Sequence, residues 1–304
     1  MKRKLIAGII IGVAMLSLVV AAVFQPRDGA TSARGDGGNA VGVINISGTI
    51  VSGSSSGGLL NTVAGSDTIM AQLRQAAEDP SIKAVVLRLN TPGGTTAASQ
   101  EIALEVDRLR ASGTKVVASM GDVAASGGYW IASRCDRIVA NPGSITGSIG
   151  VIMETTDMQG LYEKIGLDPT VFKSGPHKDM GSPARDVTSN EQAIFQSMVD
   201  DIYQQFVNTV SQGRGMDLEQ VSKIADGRVF TGSQALENGL VDEMGNFYDA
   251  LRVASQMAGL GDEANVVDLS PRRPFWETFS GVNLGISGPA LYPAAWLLYA
   301  PVTE

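Results

Sequence analysis

The chain has 304 residues, 44% of them hydrophobic and 18% charged, enough for one large or two small domains with a real core. Its net charge of -8 argues against nucleic acid as the main partner, and its single cysteine, Cys135, excludes an intramolecular disulfide and a cysteine-rich metal site. There is also one histidine, His177, so a Ser-His-Asp triad would have to use it.

Lys2, Arg3 and Lys4 precede an uncharged run from Leu5 to Phe24. At about 1.5 Å per residue such a run covers roughly the 30 Å hydrocarbon core of a bilayer, which predicts a transmembrane helix and an N-terminal membrane anchor over residues 1–25. The positive flank stays in the cytoplasm, so a single-pass inner-membrane protein with its folded part on the extracytoplasmic side is expected. The rival reading is a signal peptide cleaved near Val20-Ala21-Ala22, but the run exceeds the roughly 7–15 apolar residues usual there. Residues 26–40, "PRDGATSARGDGGNA", are polar and Gly-rich without periodicity and read as a flexible linker.

Residues 41–261 alternate between strand and helix patterns. "VGVINIS" (Val41–Ser47) reads as a strand and "SSSGGLLNTVAG" as a loop. A helix is predicted from Ser66 to about Glu78, with Ile69, Leu73 and Ala76/Ala77 on one face. "IKAVVLRL" (Ile82–Leu89) is a buried strand, which Pro92-Gly93-Gly94 breaks. Thr95–Ser112 is a helix with Ile102, Val106 and Leu109 at helical spacing. "TKVVASM" is the next strand, Ser126–Ser133 a helix and "RIVA" a short strand. This order implies the α/β class, with a mainly parallel sheet and helices outside it. Thr188-x-x-Glu191 is a capping box opening a longer helix that Gly213 is expected to stop. A helix over Leu218–Ala225 follows, then a short one inside the Gly-punctuated "DGRVFTGSQALENGLVDEMG". Residues 262–304 read as a tail whose apolar end, "ALYPAAWLLYAP", is too short and proline-broken to span a bilayer; it is expected to be a strap packed on the domain or a subunit contact, the alternative being a strand lying extended in the substrate groove.

The chemistry concentrates around Ala124-Ala125-Ser126-Gly127-Gly128. A serine at a strand-to-helix corner, stripped of bulky neighbours, can be approached by a substrate backbone. The amide of Gly127 then points out at the helix start, where negative charge is favoured. "LNTPGGT" supplies further unblocked amides after the neighbouring strand, Gly94 among them. Each motif alone is as readily a packing corner or a turn; both at the ends of adjacent parallel strands is where ligands bind in open α/β sheets. The serine needs a base. "VFKSGPHKDMGSPAR" offers Lys173, His177 and Lys178, and a lysine serves only where its surroundings let it lose its proton near neutral pH.

"MGDVAASGGYWIAS", "TGSIGVI", "KSGPHKDMGSPAR", "DGRVFTGSQALENGLVDEMG" and "LNTPGG" together resemble the signal peptide peptidase A family of membrane-anchored serine proteases, in its short, single-copy form. The resemblance runs from about Val41 to Leu260 and implies a Clp-protease/crotonase-like fold of repeated β-β-α units. It implies Ser126 as nucleophile and Lys178 as general base, with Lys173 as the alternative. It further implies that Ser148 hydrogen-bonds the lysine, that Gly127 and Gly94 donate to the oxyanion, and that no cofactor or metal is used. The partners implied are peptide substrates, cleaved signal peptides above all. Also implied is a ring- or dome-shaped homo-oligomer, an octamer being one size, with active sites between subunits. The competing readings are a Clp-like peptidase using His177, a crotonase-type acyl-CoA enzyme, and a non-catalytic scaffold at the membrane surface.

Overall fold

The computed structural model describes residues 39–57, 62–261, 264–270 and 296–298. The predicted anchor over 1–25 and most of the linker over 26–40 lie outside these. Among the described residues no helix is long and apolar enough to cross a membrane.

The α/β expectation holds, with a mainly parallel sheet. Its centre is β1 (Ala40–Ser47), β5 (Ile82–Thr91) and β7 (Lys115–Ala125), paired side by side in parallel. Each carries an unbroken apolar run because both faces are covered. Val41, Ala84, Val86 and Val117 face α8 (Phe247–Met257) through its Ala250, Val253 and Ala254. Ile44, Ile46, Leu87, Leu89, Val116 and Met120 belong to the larger core on the other side. That core includes Ile69 and Leu73 of α1 (Ser66–Glu78) and Ile102, Val106 and Leu109 of α2 (Thr96–Ala111), as the helical spacing predicts. β12 (Asn265–Asp268), at the start of the expected tail, adds to β1 in parallel.

A second, smaller sheet is built from short strands that follow the long ones. β2 (Thr49–Val51) pairs in parallel with β4 (Thr62–Gly65) and with β6 (Gly93–Thr95), and β3 (Ser56–Gly57) pairs antiparallel with β4. Long strand, short strand, helix is therefore repeated: β1, β2 and α1, with β3 and β4 inserted between β2 and α1, then β5, β6 and α2.

Three local expectations are corrected. The glycines of "TPGGT" form a strand rather than a turn. A Cβ on Gly94 would lie 1.8 Å from the Ile50 carbonyl oxygen, so only glycine lets β6 approach β2 this closely. The loop "SSSGGLLNTVAG" contains β3 and β4. The long helix α5 (Ser189–Arg214) does not stop at Gly213. A Cβ there would lie 2.0 Å from the Ser133 carbonyl, so that glycine serves close packing, and the left-handed cap is Gly215 at φ 63°. α5 does open with the predicted capping box of Thr188 and Glu191.

Candidate active site

β7 runs five residues beyond the predicted Met120 and ends at Ala125, the last residue before the corner. Its first half pairs with β8 (Arg137–Ala140) and its second half with β9 (Ile145–Gly147), both in parallel. The chain then turns sharply at Ser126, at φ 54° and ψ -116°, into α3 (Gly127–Ala132). A non-glycine residue at positive φ is strained by about 1–3 kcal/mol and persists only where its surroundings fix it. Here the Ser126 amide donates to the Gly147 carbonyl at 2.8 Å, and the Ser126 carbonyl accepts from Trp130 N at 2.8 Å. The residue is 1% exposed, and among the described residues its hydroxyl has no hydrogen-bond partner.

The small neighbours are demanded by what lies against them. A Cβ on Gly127 would sit 2.4 Å from Ser99 Oγ of α2, and one on Gly128 would sit 2.7 Å from Thr91 Cγ2. The same Gly127 position is 3.3 Å from the Gly94 amide nitrogen, so β6 and the start of α3 are in direct contact. Gly93, at φ 105°, donates its amide to Thr91 Oγ1 at 3.1 Å. Thr91 and Ser99 thus brace the corner, and sequence reasoning missed both, since their spacing from Ser126 is set only by folding.

Ser148 follows β9 directly, one residue after the carbonyl that holds the Ser126 amide. It too has positive φ, 50°, and donates its amide to the Arg228 carbonyl at 2.8 Å. It borders a cavity of about 410 Å³ whose walls include Val151, Val199, Tyr203 and Ala225. Ser126, Gly127, Gly94 and Ser148 are therefore gathered at the ends of β6, β7 and β9.

The three base candidates are not gathered there. Lys173, His177 and Lys178 sit on an exposed loop between α4 (Gln159–Ile165) and α5. Lys173 Nζ donates to Asp179 Oδ1 at 2.7 Å and to the Pro176 carbonyl at 3.3 Å. The His177 ring is 3.4 Å from Asn190 Nδ2, and among the described residues no carboxylate bonds to it. The Lys178 side chain is exposed and makes no ion pair among the described residues. Arg185 closes the loop onto α5 by binding Asp179 and Glu191, which holds the Asp179 carboxyl far below the carboxylate range and that of Glu191 down to about 2. Around this loop Ile152, Leu161, Ile165, Leu167 and Val171 are exposed, and Phe172 is 94% exposed. Among the described residues no cluster of three or more His, Cys, Asp or Glu could hold a metal ion.

One further segment reaches the site. β13 (Trp296–Leu298), near the end of the chain, pairs antiparallel with β6, placing Leu297 opposite Gly94 and Leu298 opposite Gly93.

Comparison with known proteins finds peptidases among the relatives of this chain. The description of peptidase family S49 matches residues 108–261. The Synechocystis sp. protein slr0021 is 44% identical over 68% of this chain and 75% of its own length. Protease 4 of Haemophilus influenzae is 38% identical over 81% of this chain. The chloroplastic serine protease SPPA of Arabidopsis thaliana is 33% identical over 73% of it. The chain spans only 39% and 33% of those last two proteins.

Proposed function

The chain belongs to peptidase family S49, and from that premise we propose a serine endopeptidase with a Ser-Lys dyad, Ser126 and Lys178, that degrades remnant signal peptides and similar apolar peptides. The observation that carries this reading is the strained corner at Ser126, with the amides of Gly127 and Gly94 beside it. In the proposed reaction Ser126 Oγ attacks the scissile carbonyl carbon and gives its proton to neutral Lys178 Nζ. The carbonyl oxygen becomes an oxyanion that accepts from the Gly127 and Gly94 amides, each such donor contributing about 3–4 kcal/mol to lowering the barrier. Lys178 returns the proton to the leaving amine; neutral Lys178 Nζ then takes a proton from the water that attacks the acyl-enzyme and passes it to the departing Ser126 Oγ. Ser148 orients the lysine by a hydrogen bond. No cofactor takes part. The repeat of long strand, short strand and helix supports the Clp-protease/crotonase-like reading of the fold.

Lys178 comes, in this reading, from a neighbouring copy. It is exposed within one chain, and the segment leading into its loop carries exposed apolar side chains, from Leu161 to Phe172, that a second copy would cover. A ring- or dome-shaped homo-oligomer with active sites between subunits follows. Of the two rivals on the same loop, Lys173 is engaged by Asp179, and His177 has Asn190 beside it rather than a carboxylate, so Lys178 is preferred to both. An extended peptide would add to β6 as a strand, the placement β13 adopts.

The test is complementation. Ser126→Ala and Lys178→Ala should each be inactive on a peptide substrate, and the two mixed after subunit exchange should regain about a quarter of wild-type activity, the share of sites holding one intact residue from each parent. Activity in Lys178→Ala alone would sink the dyad. Two inactive variants that stay inactive when exchanged would place both residues in one subunit.

A further inference from the structure

Lys178 is followed in the chain by Asp179, with Asp186 and Glu191 close behind. For a lysine that must lose its proton this is an adverse setting, because a neighbouring carboxylate stabilises the ammonium form. The structure shows what becomes of two of those carboxylates, Asp179 and Glu191. Asp179 Oδ1 accepts from Lys173 Nζ at 2.7 Å and from Arg185 Nη2 at 2.9 Å, and Oδ2 accepts from Arg185 Nε at 3.1 Å. Arg185 Nη2 also donates to Glu191 Oε1 at 2.6 Å, and Nη1 to Glu191 Oε2 at 2.9 Å and to the Asp186 carbonyl at 2.9 Å. Glu191 Oε2 in turn accepts from the Thr188 amide at 2.9 Å, within the capping box of α5. Two cations and two carboxylates form a closed, neutral cluster, and the Glu191 side chain within it is only 2% exposed.

We propose that Arg185 and Lys173 are positioning residues that neutralise Asp179 and pin its loop to the start of α5, so that Lys178 is presented with no carboxylate partner of its own. The proposal rests on the Ser-Lys reading above and adds the means by which the lysine is kept able to act as a base. It gives Lys173 a role other than that of alternative base: its ammonium is the second counter-charge on Asp179. The planar fork of Arg185 bridges both carboxylates at once, which a lysine could not reproduce. The titratable and charged groups of the loop that carries Lys178 are Lys173, His177, Asp179, Arg185 and Asp186, and Glu191 of α5 is bound to that loop through Arg185. The loop is also bonded to the segment before α4, where Met158 N donates to the Pro183 carbonyl at 2.7 Å and Asp157 caps Gln159 at 2.8 Å.

The experiment is the pH dependence of kcat/KM for peptide hydrolysis by the full-length protein, comparing wild type with Arg185→Met, Arg185→Lys and Lys173→Met. Removing either cation turns a neutral cluster into one with a net negative charge, which favours protonated Lys178. The midpoint of the rising limb should therefore move to higher pH by about one unit in Arg185→Met, a tenfold rate loss below the midpoint, with the alkaline plateau largely retained. Lys173→Met should move it in the same direction by less, and Arg185→Lys should restore part of the shift. A purely structural role would lower the rate equally at every pH, and an unmoved midpoint overturns the proposal. If Arg185→Met does not fold, Lys173→Met decides alone, since among the described residues that side chain bonds only to Asp179 and the Pro176 carbonyl. An inactive Lys178→Ala with unmoved midpoints in the other variants defeats the clamp alone. An active Lys178→Ala defeats the dyad beneath it.

Discussion

At the scale of single residues, the glycines beside Ser126 are as informative as the serine. Gly94 has the least freedom, because a methyl group there meets the backbone oxygen of Ile50 at 1.8 Å and cannot be relieved by a side-chain rotation. Gly94→Ala should destabilise the fold by about 1–3 kcal/mol and displace β6 from the corner. Thermal denaturation and peptide hydrolysis should both register this, with activity falling by more than stability alone explains. Unchanged melting and activity would show that β2 yields easily. The corner was legible from sequence because five consecutive small residues around one hydroxyl have few other uses. The bracing by Thr91 and Ser99 was not, because each is fixed only when β5 and α2 pack beside β7. Residue type and spacing leave Lys173 and Lys178 open and only the resemblance favours Lys178; that Lys173 meets Asp179 is visible only in the fold.

Among the elements, the apolar spacing of α1 and α2 and the unbroken runs of β1, β5 and β7 were readable because local pattern and burial agree. β6 was not, since Gly-Gly has no strand propensity and pairs only because Ile50 is delivered to it by a distant segment. Gly213 misled for a similar reason: its smallness answers to Ser133 rather than to the helix end. α5 ties its N-terminus to the lysine loop through Glu191, and this makes its anchoring sensitive to acid. Arg185, and then the Thr188 amide, lower the Glu191 carboxyl to about 2, below its ordinary value near 4.5. A carboxylate lowered in the folded state contributes stability that is fully present above its unfolded value and disappears as pH falls through the folded one. The melting temperature should therefore drop between about pH 4.5 and pH 2, and Glu191→Gln should flatten the curve in that window. A variant curve parallel to wild type would remove Glu191 from the account.

For the whole molecule, the apolar N-terminal run and the C-terminal tail each carry a prediction. The length of the Leu5–Phe24 run leads us to expect an uncleaved chain that fractionates with membranes, its peptidase domain on the extracytoplasmic side. An abundant soluble form beginning near Gln25 would contradict this. The strand at Trp296–Leu298 pairs with β6 at Gly93 and at Gly94, the second of which is proposed to bind the oxyanion. A chain ending near Gly288 should therefore have a lower KM for peptides than the full-length chain, and an equal KM would mean that the strand does not obstruct substrate. The same pairing has a consequence in time. A competitor carried on the enzyme's own chain is not weakened by dilution, because its local concentration is set by the tether, in the millimolar range for short flexible links. Newly made molecules would start blocked, and progress curves would begin with a lag whose length does not depend on enzyme concentration. If the blocking end can be cut away, the lag should occur once in the life of each molecule and should not return.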